Sequence, residues 1–209
     1  MLYHNVSSKI KIHRLKPLLL YRLEVIMTTT QIAATQTTST KLLTGTVTPP
    51  LEVSTLDGSQ WRLSDRHPQN YTMVLFYRGL HCPICKAQLI ELDRKLEQFS
   101  QLGIEAIAIS GDTQEGARES QQDWHLQNLR IGYGLSVEQM RRWGLYISKR
   151  AYANEPAYFN EPAIFFVKPD GTLAIAMIQS TPVARPQFDD VLSGLDYILK
   201  NNYPTRGTE

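Results

Sequence analysis

The sequence predicts an α/β domain in which a central mixed β-sheet is flanked by helices and entered through an N-terminal β-hairpin. Three observations carry this expectation. Short apolar runs at Tyr71–Tyr77, Ile104–Ile109 and Ala163–Val167 have the length and content of buried strands. Between the first two, Leu89, Leu92, Leu96 and Phe99 recur at spacings of three and four, which puts them on one face of a helix. Strand, helix and strand in that order make a βαβ unit, and the closing order of strand, strand and helix adds antiparallel neighbours to a parallel centre.

Taken in order, the folded part is expected to begin near Pro49-Pro50. Leu51 to Leu56 alternates, Asp57-Gly58 turns, and Gln60-Trp61-Arg62-Leu63 returns, which is a hairpin signal. Ser64 to Pro68 links to the first buried strand, with His67 as a solvated loop residue. Gly103 caps the helix that follows the cysteines. Thr113 can cap the next helix, which runs to about Gln127 with Trp124 as its core anchor and His125 at the surface. Leu129–Leu135 reads as a short strand and Val137–Trp143 as a short helix. Leu145 to Asn160 shows no clean period and carries Tyr146, Tyr152, Tyr158 and Phe159 with Lys149 and Arg150. It reads as an ordered loop, a kind of segment that is often functional, or as aromatics covering the edge of the core. Lys168 to Thr172 turns the strand at Ala163–Val167 into a partner at Leu173–Gln179. The last helix follows Arg185-Pro186, with Asp189 and Asp190 at its N-terminus and Phe188, Val191, Leu192, Leu195, Ile198 and Leu199 on its apolar face.

The two cysteines stand in Phe76-Tyr77-Arg78-Gly79-Leu80-His81-Cys82-Pro83-Ile84-Cys85, at the turn from strand to helix, and they are the only two in the chain. In this context the pair reads as a thioredoxin-like redox motif. A helix N-terminus offers unpaired N–H groups and a partial positive charge, and both favour a thiolate. Cys82 is expected at the cap with a lowered pKa, and Pro83 at the first helical position, where its missing N–H costs nothing. Cys85 lies three residues on, on the same face. Cys82 is thus the expected attacking thiol and Cys85 the resolving one. Inert buried thiols or half of a zinc site are the alternatives. A tetrahedral site needs two more ligands, and His4, His13, His67, His81 and His125 offer no close pair.

The chain has 209 residues and a formal net charge of +2, with Lys9, Lys11, Arg14, Lys16 and Arg22 concentrated in its N-terminal arm. That length fits one domain, residues 49–204, with a basic, threonine-rich and disordered arm (1–48) and a short tail (205–209). The charge gives no reason to expect nucleic acid, and no apolar run is long enough to cross a bilayer. Two cysteines in one motif leave no structural disulfide framework, so a reducing, cytoplasmic setting is the default. The arm's composition also resembles an organellar transit peptide, and a start at Met27 is the third reading.

The cysteine stretch, with the turn Pro169-Asp170-Gly171 between its two strands, resembles the alkyl hydroperoxide reductase and thiol-specific antioxidant family, and within it the peroxiredoxin-like branch that carries a CxxC pair. The resemblance spans roughly Leu51 to Leu199. It implies a thioredoxin fold with Cys82 as the reactive thiol. Two departures stand out. Peroxiredoxins carry Thr or Ser three residues before the reactive cysteine and Pro seven before it, where this chain has Gly79 and Leu75. They also carry Arg at the start of the strand matching Ala163–Val167, where this chain has Pro162. Pro162 occupies the place of the thioredoxin branch's cis-proline. The resemblance therefore implies a cis bond facing the CxxC, with the backbone of Glu161 free to pair with a substrate strand. A trans-proline opening a strand is the alternative. Glu161 near Cys82 would raise the thiol pKa, and Arg78 or Arg185 would offset it.

Together these point to a thiol–disulfide oxidoreductase that cycles a Cys82–Cys85 couple without a cofactor. Its expected partners are a protein disulfide and a dithiol reductant such as a thioredoxin or glutathione system. Reduction of hydroperoxides by the same cysteines is the runner-up. A Cu(I)- or Zn-binding dithiolate module is the reading from a different class.

Overall fold

The computed structural model describes residues 42–209. The expectations for the arm up to residue 41, including the transit-peptide and Met27 readings, lie outside the described residues. The chain opens with the expected hairpin, β1 (Glu52–Thr55) against β2 (Gln60–Arg62). Asp57 closes its turn by accepting from the Thr55 hydroxyl at 2.6 Å and the Ser59 hydroxyl at 2.7 Å. Next come β3 (Tyr71–Phe76), α1 (Pro83–Gln101) and β4 (Ile104–Ile109), the predicted βαβ unit with β3 and β4 parallel. α2 (Gln114–Asp123) is capped by the Thr113 side chain, as the sequence implies, and stops short of Gln127 at the buried Trp124. His125 follows in a left-handed conformation with φ 55° and is exposed. β5 (Arg130–Tyr133) pairs parallel to β4, and α3 (Val137–Arg142) starts in a reciprocal capping box between Ser136 and Gln139.

The stretch from Leu145 to Asn160 differs from the irregular loop that its sequence suggests. It holds an antiparallel ribbon, β6 (Ile147–Lys149) against β7 (Tyr158–Asn160). Three-residue strands are too short to show a period, so the sequence pattern does not reveal them. β8 (Ala163–Val167), β9 (Leu173–Ile178) and α4 (Phe188–Lys200) complete the fold.

Seven strands form one sheet in the order β2-β1-β5-β4-β3-β8-β9. Its centre, β5-β4-β3, is parallel, and the outer pairings are antiparallel. One face buries Met73 and Leu75 of β3 under Leu89, Leu92 and Phe99 of α1 and Phe188, Val191 and Leu195 of α4, with Ala117 of α2 alongside. The other face buries Val74 and Phe76 with Met140 of α3, Trp143 and Trp61. Alternation along β3 therefore feeds two cores, which is why its whole run is buried and, Thr72 apart, apolar. Leu89, Leu92 and Phe99 are each fully buried, and such burial typically contributes about 1.5–3 kcal/mol per side chain.

The expected boundaries at residues 48/49 and 204/205 fall within packed chain. Gly45 N–H donates to Leu173 O at 2.7 Å, Leu173 N–H to Thr46 O at 2.9 Å and Thr48 N–H to Gly171 O at 2.9 Å. The Thr44 hydroxyl donates to the Arg206 carbonyl. Threonine-rich composition conceals these bonds, because they are made by backbone groups and one hydroxyl rather than by an apolar pattern.

Candidate active site

The site is built where β3 ends and α1 begins, because both cysteines lie in that turn. Cys82 is the N-cap of α1, in extended conformation, and its sulfur accepts the Cys85 backbone N–H at 3.3 Å. Pro83 takes the first helical position and is exposed. Cys82 is 1% exposed and Cys85 is fully buried. Both are free thiols.

The two sulfurs are driven apart in acidity. The Cys85 thiol donates to the Cys82 sulfur, and this is the largest influence on Cys82; burial opposes it, and the Cys85 N–H and the Arg78 guanidinium add to it. The outcome is a Cys82 thiol lowered to about 6, ionised to roughly nine-tenths at pH 7. Burial pushes Cys85 far in the other direction, and the negative charge on Cys82 reinforces that. One sulfur is held as a thiolate and the other as its protonated neighbour.

Arg78 is fixed by three groups. It pairs with Glu161 at 3.2 Å and with Glu155 at 3.5 Å, and its guanidinium lies 4.7 Å from the centre of the Phe159 ring. Glu161 also accepts from the Ser148 hydroxyl at 2.6 Å, and Glu155 from the N–H groups of Ala151 and Tyr152 at 2.8 and 3.0 Å. The first of those bonds is the main reason that the Glu155 carboxyl lies below its ordinary value. The β6–β7 ribbon and the loop between its strands thus clamp Arg78 in place. The acid expected to oppose the thiolate is engaged by Arg78 and Ser148 instead.

His81 stacks edge-on against Phe159 at 4.7 Å, and both of its ring nitrogens are buried without a hydrogen-bond partner. Burial, then Arg78, lowers its pKa and so favours the neutral ring. Arg185 reaches the other cysteine, with Nη2 3.4 Å from Cys85 Sγ. The backbone N–H of Arg78 donates to the same sulfur at 3.4 Å.

Pro162 departs from the expectation of a cis bond: no peptide among the described residues is cis. It is a trans-proline just ahead of β8, where pairing with β3 begins only at Ala163, so its missing N–H interrupts no ladder. Its carbonyl accepts from Gln179 at 3.0 Å. The backbone of Glu161 is not free either, because its N–H donates to Tyr146 O at 2.8 Å. The docking edge inferred for a substrate strand is already used within the chain.

Gly79 sits at φ +131°, and a Cβ there would lie 2.5 Å from Asp112 Oδ1. Asp112 Oδ2 accepts the Leu80 N–H at 2.9 Å, and burial raises the pKa of its carboxyl. The space for a threonine side chain is therefore filled from the turn after β4. Asp112 was not singled out from the sequence, nor were Glu155, Ser148, Asn160 and Gln88. Phe159 and Glu155 lie in the aromatic-rich segment 145–160, which is the signal the sequence offers for them. Asn160 anchors the ribbon by donating to Tyr77 O at 3.1 Å. Among the described residues no three His, Cys, Asp or Glu side chains converge as a metal cluster, so a dithiolate metal module would rest on the two sulfurs alone. No described helix is long and apolar enough to cross a membrane.

Comparison with known proteins gives the following. The model of the AhpC/TSA family matches residues 44–176. No curated protein matches. Among solved structures, peroxiredoxin 6 of Arenicola marina superposes with a TM-score of 0.65 at 16% identity, covering 78% of this chain and 76% of that one. AhpC of Mycobacterium tuberculosis gives 0.63 at 15% identity over 80% of this chain and 99% of that one. A peroxiredoxin-like protein of Aquifex aeolicus gives 0.62 at 16% identity over 75% and 88%. At these identities the superpositions establish a shared thioredoxin-like peroxiredoxin fold.

Proposed function

The chain belongs to the AhpC/TSA family, a thioredoxin-fold oxidoreductase family, and from that premise we propose that it reduces hydroperoxides with Cys82 as the attacking thiol and Cys85 as the resolving one. The observation that carries this reading is Cys82 at the N-cap of α1, its thiol lowered to about 6, with the Arg78 guanidinium that adds to that lowering held by Glu155, Glu161 and Phe159. A preorganised donor of this kind strengthens as charge moves onto the leaving oxygen, and removing one typically costs about 10²–10³ in rate.

Cys82 thiolate attacks the terminal oxygen of the hydroperoxide. The O–O bond breaks, Cys82 becomes a sulfenic acid, and the leaving alkoxide takes a proton from water. Cys85 then loses its proton and attacks the Cys82 sulfur. The S–S bond forms, hydroxide leaves and is protonated to water. Two electrons pass from the thiols to the peroxide, and a dithiol reductant returns them by exchange at the disulfide. A cysteine that is 1% exposed favours a small oxidant over an extended protein strand.

Disulfide exchange, placed first from the sequence, becomes the second reading. What favours it is that Gly79 has no side chain and Pro162 no N–H, so two donor positions of true peroxiredoxins are empty of donors. What counts against it is the occupied backbone of Glu161. Stopped-flow tryptophan fluorescence against hydrogen peroxide and an alkyl hydroperoxide, run beside insulin reduction with a dithiol, distinguishes them. Faster oxidation by hydroperoxide than by an ordinary thiolate, lost in Arg78→Met, supports the first reading. Efficient insulin reduction with hydroperoxide reactivity no better than free cysteine supports the second.

A further inference from the structure

Arg185 lies outside the Arg78 clamp, and the first step gives it no work. Its three nitrogens are all engaged: Nε donates to Pro182 O at 2.7 Å, Nη1 to Gln88 Oε1, and Nη2 to Cys85 Sγ at 3.4 Å. Gln88 is itself buried, at 6% exposure, one turn along α1 from Cys85. The arginine comes from the irregular segment between β9 and α4, one residue after Ala184, whose φ of +59° is a strained value for a residue with a Cβ. A cation has been brought to a buried sulfur by a segment with no helical or strand reason to pass there.

We propose that Arg185 is the positioning residue of the resolving step: held by Gln88 and Pro182, it supplies the positive charge against which Cys85 ionises once Cys82 has become neutral. This rests on the assignment of Cys82 as the attacking thiol and Cys85 as the resolving one. In the reduced protein Cys82 carries the negative charge, and a second thiolate beside it is opposed by repulsion as well as by burial. Oxidation of Cys82 to sulfenic acid, or its capture in a mixed disulfide, removes that repulsion and leaves Arg185 as the charge in contact with Cys85. The other groups facing Cys85 are the Arg78 backbone N–H, which is neutral, and Tyr77, which burial keeps protonated beside Asp112. The Cys85 proton passes to water, its thiolate attacks the Cys82 sulfur, the S–S bond forms, and the group on Cys82 leaves with the electron pair. Arg185 releases the sulfur as it turns towards Cys82. The two thiols therefore ionise in sequence rather than together.

The test uses dithiodipyridine on the reduced full-length protein, because this probe needs no peroxide. The first thiopyridone released reports attack by Cys82, and the second reports closure by Cys85. In Arg185→Gln the ratio of closure rate to attack rate at pH 7 is expected to fall about tenfold or more, the scale of one lost charged hydrogen bond. The deficit should shrink as the pH is raised to about 10, and Arg185→Lys should recover most of the ratio. Gln88→Met, which leaves the guanidinium in place but removes one holder, should move the ratio the same way by less. An unchanged ratio in Arg185→Gln, or a deficit of the same size at every pH, would overturn the proposal. Failure of the peroxidase reading shows up separately, as no cyclohexanedione-trapped sulfenic acid in Cys85→Ser after hydroperoxide, whatever the dithiodipyridine ratio.

Discussion

Replacing Cys85 by alanine and by serine should affect Cys82 differently. The strongest influence lowering Cys82 is the thiol hydrogen of Cys85, ahead of the Cys85 backbone N–H and Arg78. Alanine removes that donor and keeps the backbone bond at 3.3 Å. Serine keeps a donor at the same place. A hydrogen bond to a charged acceptor contributes about 1.5–3 kcal/mol, which is roughly one to two pKa units. Cys82 titrates at about 6 in the wild type, so Cys85→Ala should titrate between about 7 and 8 and Cys85→Ser within about half a unit of the wild type. The sign follows from which form is stabilised: losing a donor to the thiolate raises the pKa. At pH 7 the thiolate fraction then falls from roughly nine-tenths to between about a half and a tenth. Thiolate absorbance in the far ultraviolet, followed against pH in reduced protein, measures this without a reagent having to enter a closed site. Equal midpoints in the two variants would refute the assignment of Cys85 as donor and leave the helix terminus and Arg78 to account for the shift.

Other outcomes follow from the same geometry. Arg78→Met should slow hydroperoxide oxidation of Cys82 by about 10²-fold, measured by stopped flow; a change under threefold would remove Arg78 from the peroxide step. Gly79→Thr should lose about 2–4 kcal/mol in urea denaturation, since it combines a left-handed φ with a Cβ 2.5 Å from Asp112 Oδ1; stability equal to the wild type would show that Asp112 gives way freely. A chain starting at Leu42 should retain the three backbone bonds between residues 45–48 and 171–173, whereas one starting at Pro49 loses them, at a cost of about 2–3 kcal/mol; equal melting temperatures would show those bonds to be replaced by water. Because the Cys82 pKa is depressed, its contribution to stability should be lost as the pH falls towards about 6. In Cys82→Ser the gain in stability between pH 6 and pH 8 should therefore be smaller than in the wild type.

The parts of the fold that bury a continuous apolar face were legible in the sequence. The βαβ unit, the closing β8–β9–α4 unit and the N-cap placement of Cys82 all follow from periodicity and from proline and glycine chemistry. The β6–β7 ribbon was not legible, because its role is to present Ser148 and Phe159 to the Arg78 cluster, and polar contacts leave no period. The trans state of Pro162 depends on where β8 begins to pair, which is a matter of register rather than composition. Arg185 was visible as a candidate, yet its choice of Cys85 over Cys82 depends on Gln88 and on a left-handed turn at Ala184. Asp112 was hidden in a turn whose capping role at Thr113 accounted for the local sequence by itself.

The most direct measurement is the location of the first oxygen. One equivalent of alkyl hydroperoxide is added to reduced protein, and peptides are mapped by mass spectrometry across pH. The expected result is a Cys82–Cys85 disulfide in the wild type and an oxygen on Cys82 in Cys85→Ser, formed with a rate that rises with pH to a plateau with a midpoint of about 6. An oxygen on Cys85 first, or a rate that climbs with a midpoint near that of an ordinary thiol, would contradict the account.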